Sequence, residues 1–144
     1  MIPVRDHMKT SVSNGMILGM GTDIVEIFRM REAIEKWGDN FLSKIFTDRE
    51  IKYSNSRRFA HQHYAARFAA KEAAVKAFGE PRRFPMKWTD IEVLNDGEGK
   101  PIVEFRNDAL RMKKRKKVSD ILVSMSHSKN YAIANVVLMR KDGR

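Results

Sequence analysis

Glu72 and Lys76 stand four residues apart in the run Arg67-Phe68-Ala69-Ala70-Lys71-Glu72-Ala73-Ala74-Val75-Lys76. On a helix that spacing stacks them, with Phe68, on one face. A carboxylate and an ammonium so placed have two readings. One is an ordinary helix pair worth about 0.3–0.5 kcal/mol; the other is a metal ligand beside a phosphate-binding cation. Asp23, in Gly21-Thr22-Asp23, bears on the choice. It follows an apolar stretch, where it could act as an N-cap worth about 1 kcal/mol, but with Glu72 it also offers two hard oxygen ligands. The chain has no cysteine, which excludes disulfides and thiolate metal sites. Two carboxylates without clustered imidazoles suit Mg²⁺, which completes its shell with water and phosphate oxygens. They do not suit zinc.

His127 lies between Ser126 and Ser128 with Lys129 beside it. Hydroxyls, an imidazole and an ammonium at one loop tip can grip a phosphate, and a solvated polar turn explains them equally well. His61 and His63, without further partners, read as surface residues. The run Lys113-Lys114-Arg115-Lys116-Lys117 reads as a solvated helix face or a nonspecific polyanion patch.

The elements that must position these residues are legible in outline. Met16–Met20 reads as a buried apolar strand ending at Gly21-Thr22-Asp23. After Asp23 as N-cap, Ile27, Met30, Ile34 and Trp37 recur at helical spacing, and Gly38 stops that helix. Residues 41–46 form a short helix. Thr47 and Glu50 make a capping box for the next one. From His61 to Phe78 runs the strongest helix, rich in Ala, Lys, Glu and Arg without internal Gly or Pro, ended by Gly79 and Pro81. Phe68 and the alanines at 65, 69 and 73 should pack inward. Residues 90–94 and 102–105 flank a Gly-rich turn as a β-hairpin. Residues 108–117 form a basic helix, and 121–126 with 131–138 a second hairpin. Strand, helices, then paired strands imply an α+β fold, with antiparallel sheet, a long central helix and shorter ones. Residues 1–15 read as a flexible extension, with Met8 and Met16 as alternative starts, and residues 16–144 as a single domain.

Lys and Arg total 28 against 18 acids, a formal net charge of +10. Such a surface attracts polyanions: nucleic acid, anionic membrane, phosphorylated cofactors or an acidic protein. A nucleic-acid-binding module is the rival from another class, but aromatics are not interleaved with basic residues as a stacking platform needs, so nucleic acid is not the expected partner. No apolar run approaches the ~18 residues of a membrane span, so no membrane partner is expected. The first fifteen residues lack a signal-peptide apolar core, so a cytoplasmic location is expected.

Several segments, in order, resemble one family. Gly21-Thr22-Asp23-Ile24-Val25-Glu26-Ile27 resembles the opening motif of the acyl-carrier-protein synthase group of phosphopantetheinyl transferases. Residues 67–79, Arg67 to Gly79, resemble its central helix. Gly99-Lys100-Pro101 is similar to its hairpin, and residues 124–132, Ser124 to Ala132, to its closing strand pair. The likeness runs from about Met16 to Met139. It implies a Mg²⁺-dependent transfer of phosphopantetheine from coenzyme A to a serine of an acidic acyl carrier protein, in fatty acid biosynthesis. It further implies a homotrimer with shared active sites. In this resemblance Asp23 and Glu72 hold Mg²⁺ against the diphosphate, Lys76 lies on the phosphates, and Asp23, Glu72 and Lys76 form the catalytic set. Arg67 and His127 match positions near the 3′-phosphate, Gly99, Lys100 and Pro101 lie near the adenine, and Ser126 and Gly79 count among the cofactor-binding positions. Arg29 matches a position that grips the carrier protein. One departure follows Gly79: Glu80-Pro81-Arg82-Arg83 stands where the family continues with a small Gly-rich loop, and Pro81 removes a backbone donor there. A relative that binds coenzyme A without transferring it is the second rival.

Overall fold

A computed structural model describes residues 15–79 and 86–141. Of the expected extension 1–15 only Gly15 falls within these, and the Glu80-Pro81 departure lies outside them. The elements run β1 (Gly15–Glu26), α1 (Ile27–Ile45), α2 (Asp48–Asn55), α3 (Ala60–Ala77), a 3₁₀ turn (Trp88–Asp90), β2 (Ile91–Asn95), β3 (Pro101–Phe105), α4 (Asn107–Arg115), β4 (Asp120–His127) and β5 (Tyr131–Lys141). β5 sits between β1 and β4 in an antiparallel three-stranded sheet, and β2 and β3 form a separate hairpin. The α+β architecture expected from the element order is the one observed.

β5 alternates strictly, as a strand with one covered face must. Ala132, Ala134, Val136 and Leu138 are buried against α3. The residues between them face outward, where they meet Met20, Thr22 and Ile24 of β1 and Leu122, Ser124 and Ser126 of β4 in register. α3 presents a continuous surface of small residues to the inner face, with Ala65, Ala69, Ala70 and Ala73 fully buried. Gly19 and Gly21 complete the fit: a Cβ on either would lie 1.9 Å from the carbonyl oxygen of Ala77 or Ala73. No side chain is possible at that approach. The contact therefore sets how near β1 comes to α3, and with it the separation of Asp23 from the α3 side chains.

The turn chemistry holds where it is local. Thr47 Oγ1 accepts from the Glu50 amide, and the Glu50 carboxylate accepts from the Thr47 amide. Gly38 interrupts α1 with φ 59° and ψ −140°, and the chain resumes helix through the segment expected at 41–46. Three local expectations fail. β1 does not end before Asp23 but runs to Glu26, and α1 begins at Ile27 with no side-chain cap. Asp23 is a strand residue opposite Ala134, because pairing along the whole of β5 outweighs a local capping signal. The expected buried character of Met16–Met20 fails too, since Met16, Ile17 and Met20 are exposed. Trp37, placed on the apolar stripe of α1 by spacing, is also exposed, lying next to the Gly38 break.

Candidate active site

Asp23 projects from β1 toward α3, where Glu72 and Lys76 are one turn apart. Lys76 Nζ donates to Asp23 Oδ1 at 2.7 Å and to the Thr22 carbonyl at 3.3 Å. That ion pair raises the Lys76 ammonium above its usual range, with the hydrogen bond to Asp23 the leading cause. Glu72 is half-buried. Burial first, then the hydrogen bond that the protonated Glu72 carboxyl donates to Asp23 and the negative charge of Asp23, push the Glu72 carboxyl up to about 7, with Lys76 opposing. Asp23 and Glu72 are thus close enough to share a proton, and repel each other when both are ionised. A divalent cation held by both would relieve that repulsion, so this pair fits Mg²⁺ in chemistry and in placement. No third His, Asp or Glu joins them: among the described residues no group of three or more such side chains is gathered. That leaves the remaining coordination to water and phosphate, as Mg²⁺ favours.

The carboxylates open into a cavity of about 460 Å³, lined among others by Asp23, Glu72, Phe68, Arg29 and Tyr131. Phe68 is held by an edge contact with Trp88 at 5.3 Å. Arg29, from the first turn of α1, borders this cavity, with Glu26 at 3.5 Å and most of its side chain in solvent. The residue expected to grip a partner protein therefore stands at the mouth of the cavity that holds the carboxylates.

Arg67 lies nine residues before Lys76 on α3, about two and a half turns back, in a second cavity of about 540 Å³, lined among others by Tyr53, Arg57, Arg67, Asn95, Asp96 and Gly99. Arg67 is only 2% exposed. Its Nη2 donates to Asn95 Oδ1 at 2.5 Å, while Nε is buried without a partner. Asn95 Nδ2 in turn donates to the Gly99 carbonyl at 2.9 Å, tying the arginine to the hairpin turn. Lys100 follows that turn, its amide donating to Asp96 Oδ1, and Pro101 begins β3 opposite Asn95. His127, at the end of β4, reaches the same neighbourhood through His63, whose ring centroid is 6.3 Å away. Ser126 stands apart, on the outer face of the sheet beside Ile133. Gly79 follows α3 with φ +84°, one turn beyond Lys76.

Sequence reasoning missed several contributors. His63 is not a surface residue: it is half-buried, edge-on to Tyr53 at 5.8 Å. Nothing in its spacing revealed this, because its partners come from α2 and β4. Lys71, beside Glu72, is fully buried. Its Nζ donates to Glu50 Oε1 at 2.7 Å and to the carbonyls of Ile91 and Trp88. Glu50 also accepts from the Val93 amide at 2.9 Å, so one buried pair ties α2, α3 and β2 together. Glu92, also buried, would be raised by burial, but Thr47, Arg49 and Arg106 hold it below the usual carboxylate range. The Thr47–Glu50 capping signal marked this region without revealing its burial.

A strand carboxylate facing a helical Glu and Lys, beside a second, arginine-lined cavity, is the layout of a phosphate-transfer enzyme. Residues 19–136 match the model of the 4'-phosphopantetheinyl transferase superfamily, and the chain belongs to that family. The holo-[acyl-carrier-protein] synthase of Clostridium tetani is 49% identical over 123 residues, covering 85% of this chain and 96% of that protein. Among solved structures, the synthase of Neisseria meningitidis matches with TM-score 0.79 and 32% identity, over 85% of this chain and 98% of that one. The Bacillus anthracis synthase, solved in complex with CoA (3',5'-ADP), matches with TM-score 0.72 and 35% identity, over 87% of this chain and 98% of that one. Among the described residues no helix is long and apolar enough to cross a membrane.

Proposed function

We propose that this chain is a Mg²⁺-dependent holo-acyl-carrier-protein synthase. It joins the 4′-phosphopantetheinyl group of coenzyme A to a serine hydroxyl of apo acyl carrier protein and releases adenosine 3′,5′-bisphosphate. The observation that carries this reading is the facing of Asp23 on β1 to Glu72 and Lys76 on α3, in a chain whose curated relatives bear that name.

Asp23 and Glu72 would hold Mg²⁺. When bound, the ion neutralises charge on the diphosphate oxygens of the cofactor. Lys76, half in solvent, offers an ammonium to the phosphoryl group as the serine hydroxyl releases its proton to solvent, the serine oxygen–phosphorus bond forms and the bond to the departing bisphosphate breaks. Arg67, with its unpartnered buried Nε, supplies a donor for the 3′-phosphate, and Gly99, Lys100 and Pro101 form the hairpin edge against which the adenine lies. Arg29, at the mouth of the carboxylate cavity, meets the acidic carrier protein and brings its serine to the diphosphate. The +10 charge favours both anionic substrates.

The active form we propose is a homotrimer. What supports it is the outer face of the sheet, where Met20, Ile24, Leu122, Tyr131 and Ile133 are all exposed in one apolar surface; a monomer rarely leaves such a face to water. Ser126 lies on that face, so in an assembly it would address a neighbouring subunit. The site is then shared.

The reaction is tested by chromatography of coenzyme A incubated with the protein, Mg²⁺ and apo carrier protein. Adenosine 3′,5′-bisphosphate appearing only when carrier protein is present is the expected result. Coenzyme A consumed equally without carrier, or not consumed at all, contradicts the reading.

A further inference from the structure

The ring of Tyr53 gathers side chains from three parts of the fold. The Arg67 guanidinium lies 4.0 Å from its centroid and that of Arg57 4.5 Å. His63 meets the ring edge-on at 5.8 Å, and its own ring lies 6.3 Å from that of His127. Tyr53 belongs to α2, Arg57 to the turn after it, His63 and Arg67 to successive turns of α3, and His127 to the end of β4. Tyr53, Arg57 and Arg67 line the second cavity, where Arg67 has a buried donor to spare. An orphaned buried donor costs about 1–3 kcal/mol, so the cluster is incomplete without an acceptor.

The carboxylates within reach are already committed. Glu50 acts on Arg67 through space, but its oxygens take the Lys71 ammonium and the amides of Thr47 and Val93. Asp96, on the cavity wall, accepts from the amides of Glu98 and Lys100. From α2 Tyr53 faces His63, from the following turn Arg57, from β4 His127, and from its own helix Arg67. His63 is therefore held below its ordinary range, by burial first and then by Arg67, His127 and Arg57. An anion arriving among these groups reverses the sign of the field at its imidazole.

We propose that His63 is a specificity-determining residue for the 3′-phosphate of coenzyme A, taking up a proton from solvent when that phosphate settles among Arg57, Arg67 and His127. This rests on the synthase reading for the identity of the ligand. It makes cofactor binding tighter as pH falls toward the ordinary imidazole range, with no effect on the chemical step. Adenosine 3′-phosphates should gain from this coupling, and adenosine 5′-phosphate, which lacks the 3′ group, should not.

The test is calorimetry of adenosine 3′,5′-bisphosphate binding in two buffers of different ionisation heat, near neutral pH. The bisphosphate itself loses protons on binding, since its second ionisation lies near about 6. The difference between wild type and His63→Phe, which keeps a ring against Tyr53, removes that contribution. Wild type should take up more protons than the variant, by up to about one, and with adenosine 5′-phosphate the two should agree. In kinetics, the wild-type KM for coenzyme A should fall several-fold, at most about tenfold per pH unit, as pH drops from about 8 to about 6, with a shallower fall in the variant, while the pH profile of kcat, which the Glu72 carboxyl governs, keeps the same shape in both. His63→Gln serves as a second uncharged variant, read in the same way. Equal proton uptake in wild type and in either folded variant overturns the proposal. The measurement needs no carrier protein, so a failure of transfer would remove the synthase reading and leave this linkage standing.

Discussion

Lys76 Nζ lies 2.7 Å from Asp23 Oδ1 across the seam between α3 and β1, one helical turn from Glu72. The ammonium and the two carboxylates form one unit, made possible by the bare backbone of Gly21 against Ala73. Glu72→Gln preserves shape and removes a charged ligand, so transfer should fall by at least about 100-fold while the fold survives. Circular dichroism together with a turnover assay checks this. A folded Glu72→Gln enzyme with wild-type magnesium-dependent turnover would remove Glu72 from the metal site.

The raised Glu72 carboxyl makes a statement about stability. Its folded value of about 7 lies above the reference of 4.5. The folded chain therefore binds this proton more tightly than the unfolded chain does. The resulting stabilisation is complete below the reference value and is lost as pH rises to and through about 7. The group is half-exposed and screened, so the loss should be about 1–2 kcal/mol at most. Melting curves in EDTA from about pH 5 to about pH 8 should show it in wild type and not in Glu72→Gln. Mg²⁺ should restore stability at the alkaline end, because it replaces the shared proton.

Lys71 and Glu50 make a separate demand. Lys71→Met would leave Glu50 charged and buried, and should cost about 3–5 kcal/mol in a urea titration. Adding Glu50→Gln should recover part of that loss, though not all, since the carboxylate also serves the Thr47 and Val93 amides. A loss below about 1 kcal/mol for Lys71→Met would show that the pair is dispensable.

Arg29 should matter to one substrate only. Arg29→Glu reverses a rim charge beside the carboxylate cavity, and the KM for carrier protein should rise about tenfold. Coenzyme A binding, measured by calorimetry, should barely change. Equal effects on both substrates would take Arg29 off the docking surface.

What the sequence made legible is what local rules govern. α3 announces itself by helix formers without a breaker, and it lies within one residue of the expected bounds at each end. Thr47 and Glu50 make the expected capping box, and both hairpins sit where their turns place them. The face shared by Phe68, Glu72 and Lys76 followed from spacing alone. The misses come from contacts between distant segments. Asp23 reads as an N-cap until β5 is laid beside it. Lys71 looks like any charged helix residue until Glu50 and the carbonyls of β2 and the preceding turn close around it. His63 has no meaning without Tyr53 and His127. Single-chain periodicity contains none of these pairings, and they are where the chemistry is placed.

The central claim, metal-dependent transfer centred on Asp23, Glu72 and Lys76, is tested most directly by intact-mass spectrometry of apo acyl carrier protein after incubation with coenzyme A and the protein. Four samples suffice: wild type and Glu72→Gln, each with Mg²⁺ or with EDTA. A gain of one phosphopantetheinyl group is expected in wild type with Mg²⁺, and no gain in the other three. The same gain in EDTA, or in the variant, would contradict it.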